Sequence, residues 1–244
     1  MIKIFKFPIL ITLILCSPLF YSEGNHKIFN LGDFDLESGI TLPNAKLSYV
    51  THGKLNKEKD NLIVVPSAYL GDHHGFDFLI EPGKALDPEK YFIVATDMFQ
   101  NGLSSSPSNT LPPFDGPNFP LISIRDNVKA GYKLVTEIFK VKKIKGVVGF
   151  SMGAQQAFQW AVSYPDFVEK IVGIAGSAVE YPHGIVRLEG FISAIKADVS
   201  FANGQYMSPP EVGLRAGGAH WASWGWSQEW YRLGLYEEMG LKDT

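Results

Sequence analysis

The sequence predicts an α/β fold, a mostly parallel central sheet with helices on both of its faces. Three observations predict it. Short unbroken apolar runs at "NLIVV", "YFIVAT" and "GVVGF" have the composition of strands buried on both sides. Stretches of helical periodicity precede and follow "GVVGF". The order strand, helix, strand, helix, strand then calls for right-handed crossovers and parallel pairing.

Composition supports one sizeable core. The chain has 244 residues, 45% of them hydrophobic and 19% charged, with a net charge of −3. That is the balance of a globular protein, and it cannot neutralise a row of phosphates, so nucleic acid is not an expected partner.

From the start of the chain, Lys3 and Lys6 precede "FPILITLILCSPLF", an apolar stretch too short to span a bilayer comfortably and interrupted by Pro8 and Pro18. It reads as an export signal over residues 1–23, cut between Tyr21 and Gly24; the other reading is a buried N-terminal strand. The expected location is periplasmic or extracellular, with no stable membrane span once the signal is removed. Cys16, the only cysteine, would leave with it, which excludes disulfides and thiol catalysis.

Residues 24–180 form the expected core domain. "AKLSYVTH", residues 45–52, alternates apolar and polar as a half-exposed strand does. "NLIVV" leads into the loop "PSAYLGDHHG", and "YFIVATD" into a long Gly/Pro/Ser/Asn-rich loop from Phe99 to Pro120. Long loops of this kind are functional or disordered. Val128, Tyr132, Val135 and Phe139 then fall on one helical stripe, with Asp126 placed to cap its start. "IKGVVGF" is a strand, "GAQQAFQWAVSYP" a helix stopped at Pro165, and "VEKIVGIAG" another strand. Residues 181–244 read as helices with no further apolar strand.

The sharpest signal is Gly149-Phe150-Ser151-Met152-Gly153. A strand ends at Ser151 and a helix begins directly after it, the setting in which a serine is lifted out of a sharp turn as a nucleophile. The flanking glycines remove side chains that would clash there. The turn also aims the Met152 N–H and the helix N-terminus at any oxyanion formed on the serine. Tyr69, in the loop after "NLIVV", is placed to give a second backbone N–H. His73 and His74 precede the nucleophile on that same loop and read as surface or rim residues. No metal-ligand cluster and no phosphate-cradling glycine loop stands out, so no bound cofactor is expected.

Five stretches together resemble the homoserine O-acetyltransferase family of α/β-hydrolase-fold enzymes: "LSYVTHGKLN", "DPEKYFIVATDMFQNGLSSSP", "FPLISIRDNVKAGYKLV", "GFSMGAQQAFQWAVSYPD" and "ADVSFANGQYMSPPEVGL". The resemblance runs from about Phe29 to about Leu214. It implies ping-pong acyl transfer between a small-molecule donor, with acyl-CoA as co-substrate, and an acceptor hydroxyl. Ser151 would be the nucleophile, Met152 and Tyr69 the oxyanion hole, and the segment after residue 180 a helical lid. Three features depart from the family. The elbow reads "GFSMGA" rather than "GGSMGG", Gly218 stands where an arginine would hold the carboxylate of homoserine, and an exported protein would not meet acetyl-CoA and homoserine. Arg215, three residues earlier, reads as a solvated side chain.

A nucleophilic serine needs a histidine and an acid, both downstream in this fold. After Ser151 stand His183 and His220, with Asp166, Asp198 and Glu211 among the acids. Asp198 and His220 fall in the expected lid with no strand before either, so capping or hydrogen bonding is their expected role. The simpler expectation is that the last strands, with the catalytic acid and histidine, lie beyond residue 244, leaving an exposed sheet edge. An exported carboxylesterase and a non-catalytic binding protein of the same fold are the other readings; oligomeric state is left open.

Overall fold

The computed structural model describes residues 26–240, so the expected export signal and Cys16 lie outside the described residues. The described chain forms two compact units, residues 26–179 and 180–240.

The first unit is built on a six-stranded sheet in the order β1-β2-β4-β3-β5-β6. Its strands are β1 (Lys27–Asp35), β2 (Thr41–His52), β3 (Leu62–Pro66), β4 (Phe92–Thr96), β5 (Gly146–Phe150) and β6 (Ile171–Ile174). β3 pairs in parallel with β4 and β5, and β5 with β6, while β1–β2 and β2–β4 are antiparallel. All five residues of β3 and of β4 are buried, as their unbroken apolar runs require. Alternate residues serve opposite faces. Leu62, Val64 and Val94 join Val128, Leu134 and Trp160 on one side, whereas Ile63, Val65, Ile93 and Ala95 join Phe76 and Leu86 on the other.

β1 went unread because its alternation breaks. Phe29 and Leu31 point inward, then register shifts on either side of Gly32 bring Phe34 to the buried face instead of Asp33. β2 also starts four residues earlier than the alternation of residues 45–52 indicates. The crossover from β3 to β4 carries only one short 3₁₀ turn, Asp77–Leu79, so irregular chain covers the second face there. Gly71, Gly75, Pro82 and Gly83 interrupt any longer helix in that segment.

Helix α1 (Ile124–Lys133) begins two residues before the expected Asp126, and its N-cap is Ser123. Asp126 is the reciprocal partner: its backbone N–H donates to Ser123 Oγ, and its carboxylate accepts from the Ser123 N–H at 2.8 Å. The stripe continues through a widened turn, Leu134–Ile138, in which Thr136 Oγ1 donates to the Tyr132 carbonyl. Helix α2 (Met152–Ser163) stops before Pro165. It buries Trp160, 1% exposed, against Tyr132, Tyr164 and Phe167. Trp160→Ala is expected to destabilise the chain by about 3–5 kcal/mol, read from the urea midpoint.

The long loop after β4 is fastened rather than loose. Lys46 N–H donates to Ser105 Oγ, Ser48 N–H to Ser104 Oγ, and Gly102 N–H to Ser106 Oγ, each at 2.8–2.9 Å. Ser104 and Ser105 satisfy β2 backbone beyond the end of β4, and Ser106 closes the loop on itself. At the opposite edge, β6 leaves Val172 and Ile174 49% and 40% exposed.

In the second unit, α3 (Pro182–Lys196) and α4 (Glu211–Gly225) pack together, followed by the short helices α5 (Gln228–Arg232) and α6 (Leu235–Glu238). Asp198 accepts from Ser200 and from the Gly213 N–H, while His220 Nε2 meets the Arg187 carbonyl at 3.0 Å. Each has the capping or bonding role expected of it, and they are not paired. Trp221 lies under the Arg187 guanidinium, and Trp226 stacks on Trp230. Arg215 is exposed beside Glu211. No helix among the described residues is long and apolar enough to cross a membrane.

Candidate active site at the end of β5

The chain leaves β5 through Ser151, whose φ of 52° and ψ of −119° is a conformation that side-chain-bearing residues avoid. Backbone hydrogen bonds hold it there. Its N–H donates to the Ile174 carbonyl at 2.9 Å, and its carbonyl accepts from Ala154 and Gln155 at 2.9 and 3.2 Å. The two glycines have steric reasons. A Cβ on Gly149 would lie 2.0 Å from the Gly153 carbonyl oxygen, and one on Gly153 would lie 2.7 Å from that of Pro66.

The Ser151 hydroxyl makes no capping bond to the helix it precedes. Met152 is the first residue of α2, so its N–H belongs to the turn that has no intrahelical acceptor and carries the positive end of the helix dipole. Tyr69 sits in the turn that closes with Gly71 N–H on the Ala68 carbonyl, and the residue is 41% exposed. Burial pushes its phenol above the ordinary value.

Ser67, two residues before Tyr69, is bound from three directions. Its N–H donates to the Thr96 carbonyl, its hydroxyl accepts from Met98 N–H, and its carbonyl accepts from Gln156 Nε2 at 3.0 Å. The Tyr69 loop is therefore tied to the helix that starts after Ser151. All three expected residues stand at the carboxyl ends of the neighbouring parallel strands β3 and β5, where open α/β sheets place their ligands.

His73 is not the surface or rim residue that its place in the loop indicates; it is 2% exposed. Its N–H and its Nδ1 engage the two carboxylate oxygens of Asp97, each at 2.8 Å. Asp97, itself fully buried, also accepts from Ser48 Oγ and Asn101 Nδ2. A buried carboxylate must be met in this way, and His73 is drawn inside to meet it. His74 is exposed as expected and pairs with Asp77. Gln156, Ser67 and Asp97 were passed over because nothing local in the sequence marks a bond across 89 residues or across 24.

Burial pulls His73 down, but the hydrogen bond and charge of Asp97, with Asp72 and Asp77, outweigh it and hold the imidazole above its ordinary value. His52 is held below that value, chiefly by burial, with His74 and His73 adding to it against Asp77. The signs oppose. The raised His73 contributes stability that is present below about pH 6.5 and is lost as pH rises through its folded value; the depressed His52 contributes stability present above about pH 6.5 and lost as pH falls. A stability maximum near pH 6.5 is expected in urea midpoints measured from pH 5 to 8, with the acid-side decline reduced in His52→Gln.

Within residues 26–179, none of His26, His52, His73 and His74 hydrogen-bonds to Ser151. Among the described residues no group of three His, Cys, Asp or Glu side chains could hold a metal ion.

A family model for the alpha/beta hydrolase fold matches residues 61–200. The chain is 41% identical over 229 residues to an ethyl acetate hydrolase of Pseudomonas veronii, covering 91% of this chain and 66% of that one. It is 38% identical over 202 residues to a homoserine O-acetyltransferase of Methanococcoides burtonii, covering 75% of this chain and 41% of that one. Among solved structures it is similar to the acetyl esterase MekB, with a TM-score of 0.87 at 40% identity over 91% of this chain and 65% of that one. The chain thus spans just under two thirds of the length of the two esterases.

Proposed function

The chain belongs to the alpha/beta-hydrolase fold family, and from that premise we propose that it transfers acyl groups through an acyl-serine at Ser151, with a short-chain ester as donor and water as acceptor. The observation that carries this reading is the backbone of Ser151, held at positive φ between β5 and α2 with its hydroxyl uncommitted to the helix cap. Strain of that kind persists where surrounding structure over-determines it, and it cluster at sites of chemistry.

In this reading Ser151 Oγ attacks the ester carbonyl and gives up its proton to a general base. The oxyanion is met by the N–H groups of Met152 and Tyr69, the C–O bond to the alcohol breaks as the alcohol takes a proton, and water then cleaves the acyl-serine. The ethyl acetate hydrolase similarity, which covers more of this chain than the acetyltransferase one, supports water as the acceptor. By the family resemblance, Gly218 stands where an arginine would hold an acceptor's carboxylate, and glycine supplies no cation.

Transfer to an alcohol is the second reading, favoured by the acetyltransferase similarity and the five resembling stretches; acyl-CoA would then be the donor. Export remains part of the proposal on the strength of the basic, apolar N-terminus.

The full reading frame is assayed with p-nitrophenyl acetate, with and without ethanol, serine or homoserine, alongside fluorophosphonate labelling. Labelling at Ser151 and turnover indifferent to alcohols are expected. Acceleration by homoserine or serine would establish transfer, and a folded protein that takes no label would leave only the non-catalytic binding reading.

A further inference from the structure

We propose that Gln156 and Asp97 are positioning residues for the reaction: they clamp the two ends of the segment from Ser67 to His73 and so fix the Tyr69 N–H relative to Ser151. The inference rests on the acyl-serine reading and adds to it the parts that hold the second oxyanion donor in place.

The segment has no regular structure of its own. It turns tightly at Ala68–Gly71 and passes through Leu70 at a φ of 59°. An oxyanion donor must hold its place to well under an ångström, because its value lies in being aimed before charge develops. Something outside the segment has to supply that rigidity.

The first clamp comes from the nucleophile's own helix. Gln156, 3% exposed, lies five residues after Ser151 on α2 and donates from Nε2 to the Ser67 carbonyl at 3.0 Å. Ser151 immediately precedes the helix that carries Gln156, so the bond ties the loop to the nucleophile's own turn and not merely to the sheet. A methionine or leucine would fill that volume, and the buried amide adds a directed donor. The second clamp is Asp97, just past β4. Its two carboxylate oxygens take the N–H and the ring of His73, and Ser48 on β2 and Asn101 donate to the same two oxygens. Releasing His73 would strand a buried charge, so this end does not open cheaply. Since β3 and β4 are hydrogen-bonded neighbours, Ser67 and Asp97, which directly follow them, stand at a separation set by the sheet.

Gln156→Glu gives the decisive readout. It keeps the shape, and its protonated carboxyl can donate to the Ser67 carbonyl, whereas the carboxylate cannot and is repelled by it. The rate of Ser151 acylation by p-nitrophenyl acetate or fluorophosphonate is expected to match the wild type at low pH. It then falls on the order of 10–100-fold as the glutamate ionises, with KM within about threefold. The wild type lacks this dependence, and a glutamine with a purely structural role would not create it. A second measurement needs no chemistry. In Gln156→Met and Asp97→Asn, amide hydrogen exchange over residues 67–76 is expected to quicken about tenfold while β5 and α2 keep wild-type protection. Unchanged exchange in Gln156→Met, or a Gln156→Glu profile superimposable on the wild type's, would overturn the proposal. Absence of wild-type acylation would instead sink the acyl-serine reading, and the exchange data would still decide the clamp.

Discussion

Ser151→Gly is expected to abolish acylation and at the same time raise the melting temperature. Loss of the nucleophile costs on the order of 10⁴–10⁶ in kcat, leaving only what binding and the oxyanion donors provide. The stability gain comes from the same atom's neighbourhood. A residue with a Cβ held at φ 52° and ψ −119° stores about 1–3 kcal/mol, which glycine does not. Glycine's greater freedom in the unfolded chain takes back about 0.5–1 kcal/mol. A net gain of about 1 kcal/mol is a rise of roughly 2–4 °C in a chain of this size. Ser151→Ala is the control, since it loses the hydroxyl and keeps the strain: it should be equally dead and melt with the wild type. Calorimetry on the three proteins separates the effects, and identical melting of the Gly and Ala variants would show that no strain resides at this residue.

Gly149→Ala is expected to be the most damaging single methyl in the core, at about 3–5 kcal/mol. The added carbon would sit 2.0 Å from the Gly153 oxygen and 2.2 Å from its carbonyl carbon, which are backbone atoms and cannot rotate aside. Gly153 is tightly placed as well, with no room for a Cβ against the Pro66 carbonyl. The urea midpoint should collapse, or soluble protein should be lost altogether. Gly218→Ala makes the contrast: nothing lies within 4 Å of the new methyl, and an alanine in place of glycine inside α4 should stabilise by about 0.5–1 kcal/mol.

What could be read from the sequence followed the range over which each feature is encoded. β3 and β4 were legible because burial on both faces writes an unbroken apolar run, and β5 because its run stays apolar although Val148 and Phe150 are only half-buried. β1 was not, because the irregularity at Gly32 shifts its inward set by one. The sharp strand-to-helix turn at Ser151 was legible because the strand, the paired glycines and the helix are contiguous. The start of α1 was misplaced because Ser123 and Asp126 are both good caps, and only coordinates show that they act together. His73 was misjudged on chain order, while its burial is decided by Asp97, a strand away. Likewise no local pattern links Gln156 to Ser67.

The strand order also governs how the molecule assembles. β3 pairs through Ile63 with Gly146, so the strand made early in synthesis waits more than eighty residues for one of its two partners. Until then it is flanked on one side only, by β4. Closing so long a stretch of chain before any reward is a slow step. Refolding should therefore be sluggish and prone to off-pathway association at high concentration, whatever the final stability of the native state.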